Sequence, residues 1–420
     1  MLISNELRSQ LITHTYSRTL RLEFNGVTIQ SSNIISDTLE IESSIMDESM
    51  LVIGGCIASR MSIKVFNVNN LLNDTLSGVQ IKAYITQNYT SDPLLPSDTL
   101  YPASDLSPGY TIHSLDQVIF TGYIYSIERQ KQRNVFEIVA FDEMRRMSET
   151  KCRELISGYL AYKPDSIKTL RNLMFTILKS YDDSNETNVK TDYIKGADNE
   201  FQYKELRSTD INITSQLLYS KASDKLSVCD ILKAHSELNS RFAYINASGT
   251  LSFISFWEHV GQWGASDAYS QSRSANVAIS SYNNLFYKDY NTSPIRTISF
   301  PYNNTQFLYG STSDKKQWYI SDNIITKCSS DPKAYIYNLK DGVNYIFNNL
   351  YSYRPYSVTT FGEWWIEPGD IVSLPTNNAD LPTLTGWVLT RRIKGVSGMK
   401  VELEAKGSKY FTKDELIYNE

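Results

Sequence analysis

A pattern of strand residues around a glycine occurs twice in this sequence, and it constrains the fold more than any other feature. The first copy reads Thr121-Gly122-Tyr123-Ile124 and returns, after a charged stretch, as Phe136-Glu137-Ile138-Val139-Ala140. The second reads Thr385-Gly386-Trp387-Val388 and returns as Val401-Glu402-Leu403-Glu404-Ala405, with one more residue in its turn. Alternating side chains on both arms predict two β-hairpins, each with one apolar face.

A matching segment precedes each hairpin, which extends the repeat beyond a single turn. Residues 76–81 read Leu-Ser-Gly-Val-Gln-Ile and residues 367–372 read Glu-Pro-Gly-Asp-Ile-Val, so Gly78 corresponds to Gly369. Glycine permits a tight turn into the strand that follows. We expect two related β-barrel-like domains in one chain, although alternating strands with glycine turns are common enough for a chance likeness to stay an alternative.

The bulk composition excludes several classes of protein. A length of 420 residues exceeds a single hydrophobic core and predicts two to four domains. A net charge of −5 argues against a protein that wraps nucleic acid, because that mode needs clustered basic residues. The four cysteines (Cys56, Cys152, Cys229 and Cys328) are scattered, which favours reduced thiols over a disulfide framework or a zinc site.

No signal peptide is expected from the N-terminal sequence. The N-terminus lacks a basic segment followed by an apolar stretch, so we expect synthesis and folding in the cytosol. The most apolar run, residues 50–59, is too short to span a bilayer and contains two glycines, so no membrane span is predicted.

The order of patterns along the chain predicts an α+β, mainly β fold with four regions. Residues 1–150 form a first β-barrel domain, residues 151–256 a helix-containing α+β domain, and residues 257–407 a second β-barrel domain with an inserted excursion. Residues 408–420 form a polar tail, and no further domain is expected after Gly407. Two long polar segments, 88–107 and 257–284, are expected to project from the barrels.

Helices are predicted in the middle region. After Pro164-Asp165-Ser166, apolar residues between Ile167 and Tyr181 fall on one helix face, and residues 182–185 are expected to end that helix in a turn. A second helix is expected from Ser227, capped reciprocally by Asp230, with its apolar side on the hairpin 242–254. A further helix is predicted near 335–350.

Catalytic and metal-binding patterns are missing from the sequence. The four histidines (His14, His113, His235 and His259) are not at metal-ligand spacing, and His235 is best explained as a core residue. No phosphate-binding loop, dinucleotide fingerprint or nucleophile elbow occurs. We therefore assign no catalytic, cofactor-binding or metal-binding residue, while a carboxylate pair set by tertiary geometry stays an alternative.

Two adjacent tryptophans, Trp364 and Trp365, are the candidate interface residues. Because neighbouring residues on a strand point to opposite faces, one is expected in the core and the other at solvent or a neighbouring chain. An anchor at a subunit interface is favoured over a sugar-stacking platform. The basic residues of the last hairpin (Arg391, Arg392, Lys394 and Lys400) are expected to form a solvated rim.

Taken in order, these segments resemble the baseplate hub, or tail-tip, proteins of long-tailed bacteriophages and related contractile injection systems. The resemblance covers nearly the whole chain up to Gly407. The motifs that carry it are Ile41-Glu42-Ser43-Ser44, residues 51–59, Ile63-Lys64-Val65, Phe120-Thr121-Gly122, Val139-Ala140-Phe141-Asp142, the helix 227–238 with its hairpin, and Pro368-Gly369-Asp370. It implies two tail-tube-like barrels per chain and a homotrimer with pseudo-sixfold symmetry.

The resemblance also implies a structural function in the virion. A trimeric hub would adapt the sixfold tail tube to a threefold tip and gate the channel through which viral DNA passes. Its expected partners are the distal tail or tail-tube ring and peripheral baseplate or fibre proteins, with 88–107 and 257–284 as candidate contacts. The alternatives are a peptidoglycan-degrading tail enzyme and a carbohydrate-binding host-recognition module.

Overall fold

The chain folds mainly into β-strands, as predicted. The computed structural model describes residues 7, 10–12, 15–45, 54–67, 72, 76–90, 112–131, 134–155, 170–185, 187, 226–238, 241–255, 276–279, 282–287, 297–299, 306–309, 316–319, 356–405 and 417–419. The helices are α1 (Glu143–Glu149), α2 (Leu170–Asn185) and α3 (Val228–Leu238), with a 3-10 turn at Ser31–Asn33. None of the helices in this part of the chain has the length and apolarity needed to cross a membrane.

Twenty strands are described. Those before residue 260 are β1 (Thr15–Phe24), β2 (Val27–Ile29), β3 (Glu40–Ser44), β4 (Arg60–Phe66), β5 (Gln80–Thr90), β6 (Ile112–Arg129), β7 (Val135–Phe141), β8 (Arg241–Ile245) and β9 (Leu251–Ser255). Those after it are β10 (Asn276–Ala278), β11 (Tyr282–Tyr287), β12 (Thr297–Ser299), β13 (Gln306–Tyr309), β14 (Lys316–Tyr319), β15 (Tyr356–Phe361), β16 (Ile371–Pro375), β17 (Thr383–Trp387), β18 (Thr390–Lys394), β19 (Lys400–Ala405) and β20 (Ile417–Asn419).

Twelve strands form one antiparallel sheet in the order β2-β1-β5-β6-β7-β4-β3-β18-β19-β15-β11-β20. Smaller sheets are β10-β16-β17, β12-β13-β14 and the hairpin β8-β9. Among the described residues no ladder joins β2 to β20, so the two expected barrels are seen as two halves of a continuous sheet. The limits predicted for the four domains stay a prediction.

The chain contains two modules that repeat one strand order. In the first module the order is β5-β6-β7-β4-β3, all in the large sheet. In the second it is β16-β17 of a three-stranded sheet, then β18-β19-β15-β11 of the large sheet. The long strand β6 corresponds to β17 and β18 together. The second module is interrupted between these strands at Val388-Leu389, and at the corresponding position β6 has a bulge between Ile124 and Ser126. Strand order therefore supports the duplication that the sequence predicts.

The strand registers agree as well. In the first module Ile127 lies opposite Ile138, and in the second Arg391 lies opposite Leu403. Because register is set residue by residue, a chance likeness between two hairpins would not reproduce it.

The glycine turns that precede the hairpins also correspond. The amide of Gly78 donates to the carbonyl of Ile124 at 2.8 Å, and that of Gly369 donates to the carbonyl of Val388 at 2.8 Å. Their φ angles are 81° and 95°, which only glycine adopts without strain. The predicted correspondence of Gly78 with Gly369 is confirmed.

The helix that follows Ser227 is confirmed together with its cap. The amide of Ser227 donates to the Asp230 carboxylate at 2.8 Å, and the amide of Asp230 donates to the Ser227 hydroxyl at 3.2 Å. Four residues of the predicted apolar side, Val228, Ile231, Leu232 and His235, are buried, and the helix packs on β8, as expected. The ring of His235 lies 5.2 Å from that of Phe253.

The predicted end of the preceding helix is wrong. Residues 182–185 were expected to form a turn, but α2 continues through Asn185. Side-chain hydrogen bonds hold this last turn in place. The side-chain amide of Asn185 donates to the carbonyl of Tyr181 at 2.9 Å, and the hydroxyl of Thr187 donates to the Asp182 carboxylate at 2.6 Å. These polar residues close the helix from within its last turn.

Some expectations lie outside the described residues. These are the segment 88–107 beyond Thr90, the excursion 257–284 before Asn276, the start of the first helix at 164–166, the helix near 335–350 and Cys328. The predicted polar tail differs from expectation where it is described, because its residues 417–419 form β20 and pair with β11.

Candidate functional site: the junction between the modules and its open counterpart

The ladder between β3 and β18 joins the two modules, and we call it the module junction. It contains five residue pairs, from Thr390 opposite Ser44 to Lys394 opposite Glu40. The amide of Ile45 extends it by donating to the carbonyl of Leu389 at 3.1 Å. The ladder thus turns two repeats into one continuous sheet.

A buried arginine supports the module junction from one face. Arg391 is 3% exposed, and its guanidinium donates to the carbonyls of Trp364 and Ile366 at 3.1 and 2.9 Å and to the Ser43 hydroxyl at 3.3 Å. Burial lowers the pKa of Arg391, since the charged form loses hydration. One side chain therefore links β3, β18 and the turn after β15.

The expectation that one of the two candidate tryptophans would be exposed is wrong. Trp364 and Trp365 are each 3% exposed, with ring centroids 5.6 Å apart in an edge-to-face arrangement. They lie in a turn between β15 and β16 rather than on a strand, so strand alternation does not separate them. The indole of Trp364 donates to Gln87 of β5 at 2.7 Å, which connects the second module to the first. Their role as anchors between subunits stays a prediction.

The basic hairpin is a rim only in part. Arg392 pairs with Glu42 across the module junction at 2.9 Å and with Glu404 at 3.0 Å, and Lys394 pairs with Glu402 at 2.9 Å. Arg391, expected in the rim, is buried instead because its side chain packs against the turn that contains Trp364 and Ile366. Arg391 follows Leu389 by two residues and so lies on the same, apolar face of the strand. This alternation was the sequence signal that could have shown the burial of Arg391.

The first module has the corresponding edge, and there it is unoccupied by any described strand. Residues 126–129 of β6 pair with β7 on one side, as residues 390–393 of β18 pair with β19. Pairing with β5 ends at Tyr123, and no described strand lies along the other side of 126–129. We call residues 126–129 the open edge. It is the structural equivalent of the strand that forms the module junction.

An exposed aromatic residue borders the open edge. Tyr125 occupies the β6 bulge and is 56% exposed, whereas the corresponding Leu389 is 5% exposed beneath the module junction. The bulge interrupts the alternation predicted for Tyr123, Tyr125 and Ile127: Tyr125 is exposed, whereas Tyr123 and Ile127 are half-buried. A large hydrophobic side chain thus stands exposed where its counterpart is covered.

The opposite end of the second module presents another edge. β11 pairs with β15 on one side and with β20 on the other, in the register Tyr287 opposite Ile417 and Phe286 opposite Tyr418. We call this side of β11 the covered edge, because β20 lies on it.

One buried carboxylate, that of Asp142, supports the start of α1. Asp142 caps α1 by accepting from the amide of Met144 at 3.0 Å, and it accepts from the amide of Ser59 at 2.8 Å. Burial raises its pKa to about 7, against the opposing effect of these hydrogen bonds. Across the described parts of the chain, no three metal-ligating side chains lie close enough together to hold an ion.

Solved structures similar to this chain include tail proteins and a secretion-system component. The tail protein of Neisseria meningitidis has 12% identity over 94% of this chain and 98% of its own, with a TM-score of 0.46. The 43 kDa tail protein of prophage MuSo2 from Shewanella oneidensis has 10% identity over 93% and 98%, with a TM-score of 0.43. An Escherichia coli component of the type VI secretion system has 9% identity over 91% and 75%, with a TM-score of 0.39.

No protein-family model and no curated protein matches this sequence. At the identities and TM-scores above, the likeness to tail proteins concerns the fold alone, and function is inferred from the chain's own geometry.

Proposed function

We propose that this protein is a structural component of a phage virion, a homotrimeric baseplate hub at the tail tip. The observation that carries the proposal is the repeat of strand order and register within one chain, with the two copies joined edge to edge by the module junction. Such a chain supplies two equivalent units of a ring. Three copies supply six.

Ring closure follows from the positions of the edges. The module junction uses β3 of the first module and β18 of the second. The equivalent strands are β11 of the second module, which pairs with β20 over three residues, and the open edge of β6, and no ladder joins these two among the described residues. The proposal is that they meet between molecules. Such a head-to-tail contact forms a closed ring when the rotation per unit allows it. Three contacts within chains would then alternate with three between chains.

Association would also remove a hazard. An exposed sheet edge presents unpaired backbone groups and is a template for aggregation, and only closure of the sheet removes it. The open edge carries Glu128 and Arg129 as exposed charged residues, which limits unspecific pairing while the chain is alone.

The proposed role in the virion is to adapt the sixfold tail tube to a threefold tip and to gate the DNA channel. With a net charge of −5 per chain, the lumen would offer DNA little general attraction, so that a polyanion could slide through. The protein would be made in the bacterial cytoplasm and would function in the tail tip. The role needs no catalytic residue, and we propose none.

The oligomeric state tests this proposal directly. Native mass spectrometry of the purified chain should show a species of three 47.9 kDa subunits, and electron microscopy should show a ring with six similar lobes. A monomer under all conditions, together with tail tips that contain no ring of this subunit, would refute it.

We further propose the tail-tube or distal tail ring and the peripheral baseplate or fibre proteins as partners. The segments 88–107 and 257–284 are the candidate contacts. Variants that lack 92–107 or 258–274 should trimerise normally but bind a tail-ring protein less tightly in a pull-down experiment. Unchanged binding would remove that segment from the interface.

A further inference from the structure

We propose that Cys56 and Cys229 are a disulfide-forming pair, which an oxidised low-molecular-weight disulfide converts from two thiols into a covalent link between the first module and α3. The modification goes beyond the proposed function, and only the time at which it forms rests on that function. All three cysteines of the described residues, Cys56, Cys152 and Cys229, are free thiols in the structure.

The segment that contains Cys56 lies against the helix that carries Cys229. Gly54 has a φ of 88°, and a Cβ atom at this position would lie 2.2 Å from Cγ of Glu237 and 3.0 Å from the carbonyl of Lys233, both in α3. Only glycine combines this backbone conformation with so close an approach. The fold thus brings together two cysteines that are more than 170 positions apart in the sequence.

Both thiols contact Met144 of α1, and they also contact each other. The Cys56 thiol donates to Sδ of Met144 at 3.0 Å, and the Cys229 thiol donates to the Met144 carbonyl at 3.2 Å. A hydrogen bond to Cys229, together with burial, raises the pKa of the Cys56 thiol. Thiols in hydrogen-bond contact need only a rotation of their side chains to reach the S–S bond length of about 2.05 Å.

The third thiol, that of Cys152, is the matched comparison. Cys152 is 3% exposed, and its amide donates to the carbonyl of Leu226 at 2.9 Å. Burial raises the pKa of Cys152 most, and Cys229 adds to this through its charge rather than through a hydrogen bond. We therefore expect the link to join Cys56 to Cys229 and to leave Cys152 reduced.

Thiol–disulfide exchange forms the link in two balanced steps. The Cys229 thiolate attacks one sulfur of oxidised glutathione and forms a mixed disulfide, and the glutathione thiolate that leaves takes up the proton that Cys229 lost. Cys56 then gives up its proton and attacks the sulfur of Cys229, which expels the second glutathione. Two protein thiols are oxidised, and one glutathione disulfide is reduced to two thiols. Cys229 attacks first because the raised pKa of Cys56 leaves it less thiolate.

The redox state of the surroundings sets when the link forms. Cytosolic glutathione keeps thiols reduced, whereas disulfides form and persist outside the cell. In the proposed tail tip, the chain would assemble with free thiols in the bacterial cytoplasm and become cross-linked after release. The link would close a long loop of the chain and so restrain its unfolded state.

Peptide mapping tests the pairing. The four cysteines fall in four separate tryptic peptides, 22–60, 152–153, 226–233 and 328–333, so any disulfide identifies its own partners. Folded protein that is treated with oxidised glutathione and alkylated without reduction should give peptide 22–60 linked to peptide 226–233 as the main product. Cys152→Ser should give the same product, and Cys229→Ser should lose it. A main product linked through another cysteine, or no linked peptide, would overturn the inference.

Urea unfolding tests the effect of the link. The unfolding midpoint of the oxidised wild type should lie about 1 M above that of the reduced protein, because the closed loop is long. Cys152→Ser should keep this shift, whereas Cys229→Ser should unfold at one midpoint with and without the oxidant. Equal midpoints for the oxidised and reduced wild type would refute the restraint.

The two proposals fail separately. A chain that forms the link but stays monomeric, in a tail tip without a ring of this subunit, would refute the trimer and leave the disulfide pair standing. A trimeric ring whose chains do not form the link would refute the disulfide pair alone.

Discussion

The two repeated hairpins share a register, but their outer edges differ in what covers them. In the second module β18 is covered by β3, and Leu389 beside it is 5% exposed. In the first module the equivalent edge has no described partner, and Tyr125 is 56% exposed. The comparison teaches that equivalent edges of the two modules have different neighbours: the second is paired within the chain, whereas the first pairs with no other strand of the described residues.

The residues at corresponding positions have also become specialised. Arg391 lies opposite Leu403 and is buried by the turn of Trp364, whereas the corresponding Ile127 is only half-buried opposite Ile138. A contact within one chain is formed as the chain folds and can include a buried charge with several acceptors. In the proposed trimer, the open edge meets a second molecule only after folding and must also be soluble alone.

The largest effect is expected at the buried arginine. Arg391→Ala removes three donors and leaves buried acceptors unsatisfied, which should lower the free energy of unfolding by about 3 kcal/mol. Ile127→Ala, at the corresponding position, should cost about 1 kcal/mol because that side chain is half-buried. Denaturant titration measures both. Equal losses of unfolding free energy in the two variants would contradict the difference between the two positions.

The next effect concerns the residues beside the two edges. Leu389→Ala should destabilise the chain by about 2–3 kcal/mol through loss of core packing, with little further effect on association. Tyr125→Ala should cost about 1 kcal/mol or less in stability but weaken the trimer about tenfold. Thermal unfolding and sedimentation equilibrium separate the two. A Tyr125→Ala chain that associates normally would show that the open edge is not a contact.

A pH effect should distinguish the first module, since its returning strand ends in the buried carboxyl of Asp142, where the second has Gly407 two residues after Ala405. The folded-state pKa of Asp142, about 7, lies above the ordinary value, so the folded chain holds this proton more tightly than the unfolded chain does. The stability that the bound proton confers is complete below about pH 4 and is lost as pH rises through 7. The loss is at most about 1.4 kcal/mol for each pH unit.

Asp142→Asn is the matched variant without a titratable group, and its one side-chain oxygen can accept from only one of the two amides, Ser59 or Met144, which bond separate oxygens of Asp142. The two proteins are therefore compared by their pH dependence and not by their absolute stability. Unfolding free energies measured from pH 4 to 8 should fall more steeply for the wild type than for this variant. Parallel curves would contradict the raised pKa.

The smallest effect is expected at the ion pairs of the module junction. Arg392→Ala removes contacts with Glu42 and Glu404 that are partly exposed to solvent, and should cost about 0.5–1 kcal/mol. Glu128→Ala, at the corresponding position of the open edge, should cost less than about 0.3 kcal/mol in the single chain. A larger loss for Glu128→Ala in a monomer would show that the open edge already has a partner there.

Local sequence patterns predicted the features that depend on local chemistry. The correspondence of Gly78 with Gly369 could be predicted because a positive φ favours glycine. The cap formed by Ser227 and Asp230 could be predicted because it spans only four residues. The alternation of both returning strands was readable because it follows from strand geometry.

The features that sequence reasoning missed depend on contacts between distant segments. The sequence predicts Arg391 in a rim, but the turn of Trp364 and Ile366 packs against it, and Trp365 is buried because the same turn folds onto the core. The bulge at Tyr125 depends on the partner strand, and the pairing of Ile417 depends on β11, more than 100 positions away. None of these contacts leaves a periodic signal near the residue concerned.

Cross-linking between chains tests the central claim most directly. Arg129→Cys is placed in one chain and Tyr287→Cys in a second chain lengthened by a tag, and the two are mixed and oxidised. The account predicts a covalent product that contains one chain of each kind, at a yield well above that of a mixture of untagged and tagged wild-type chains. A yield no greater than that of the wild-type mixture would contradict pairing of β6 with β11 between molecules.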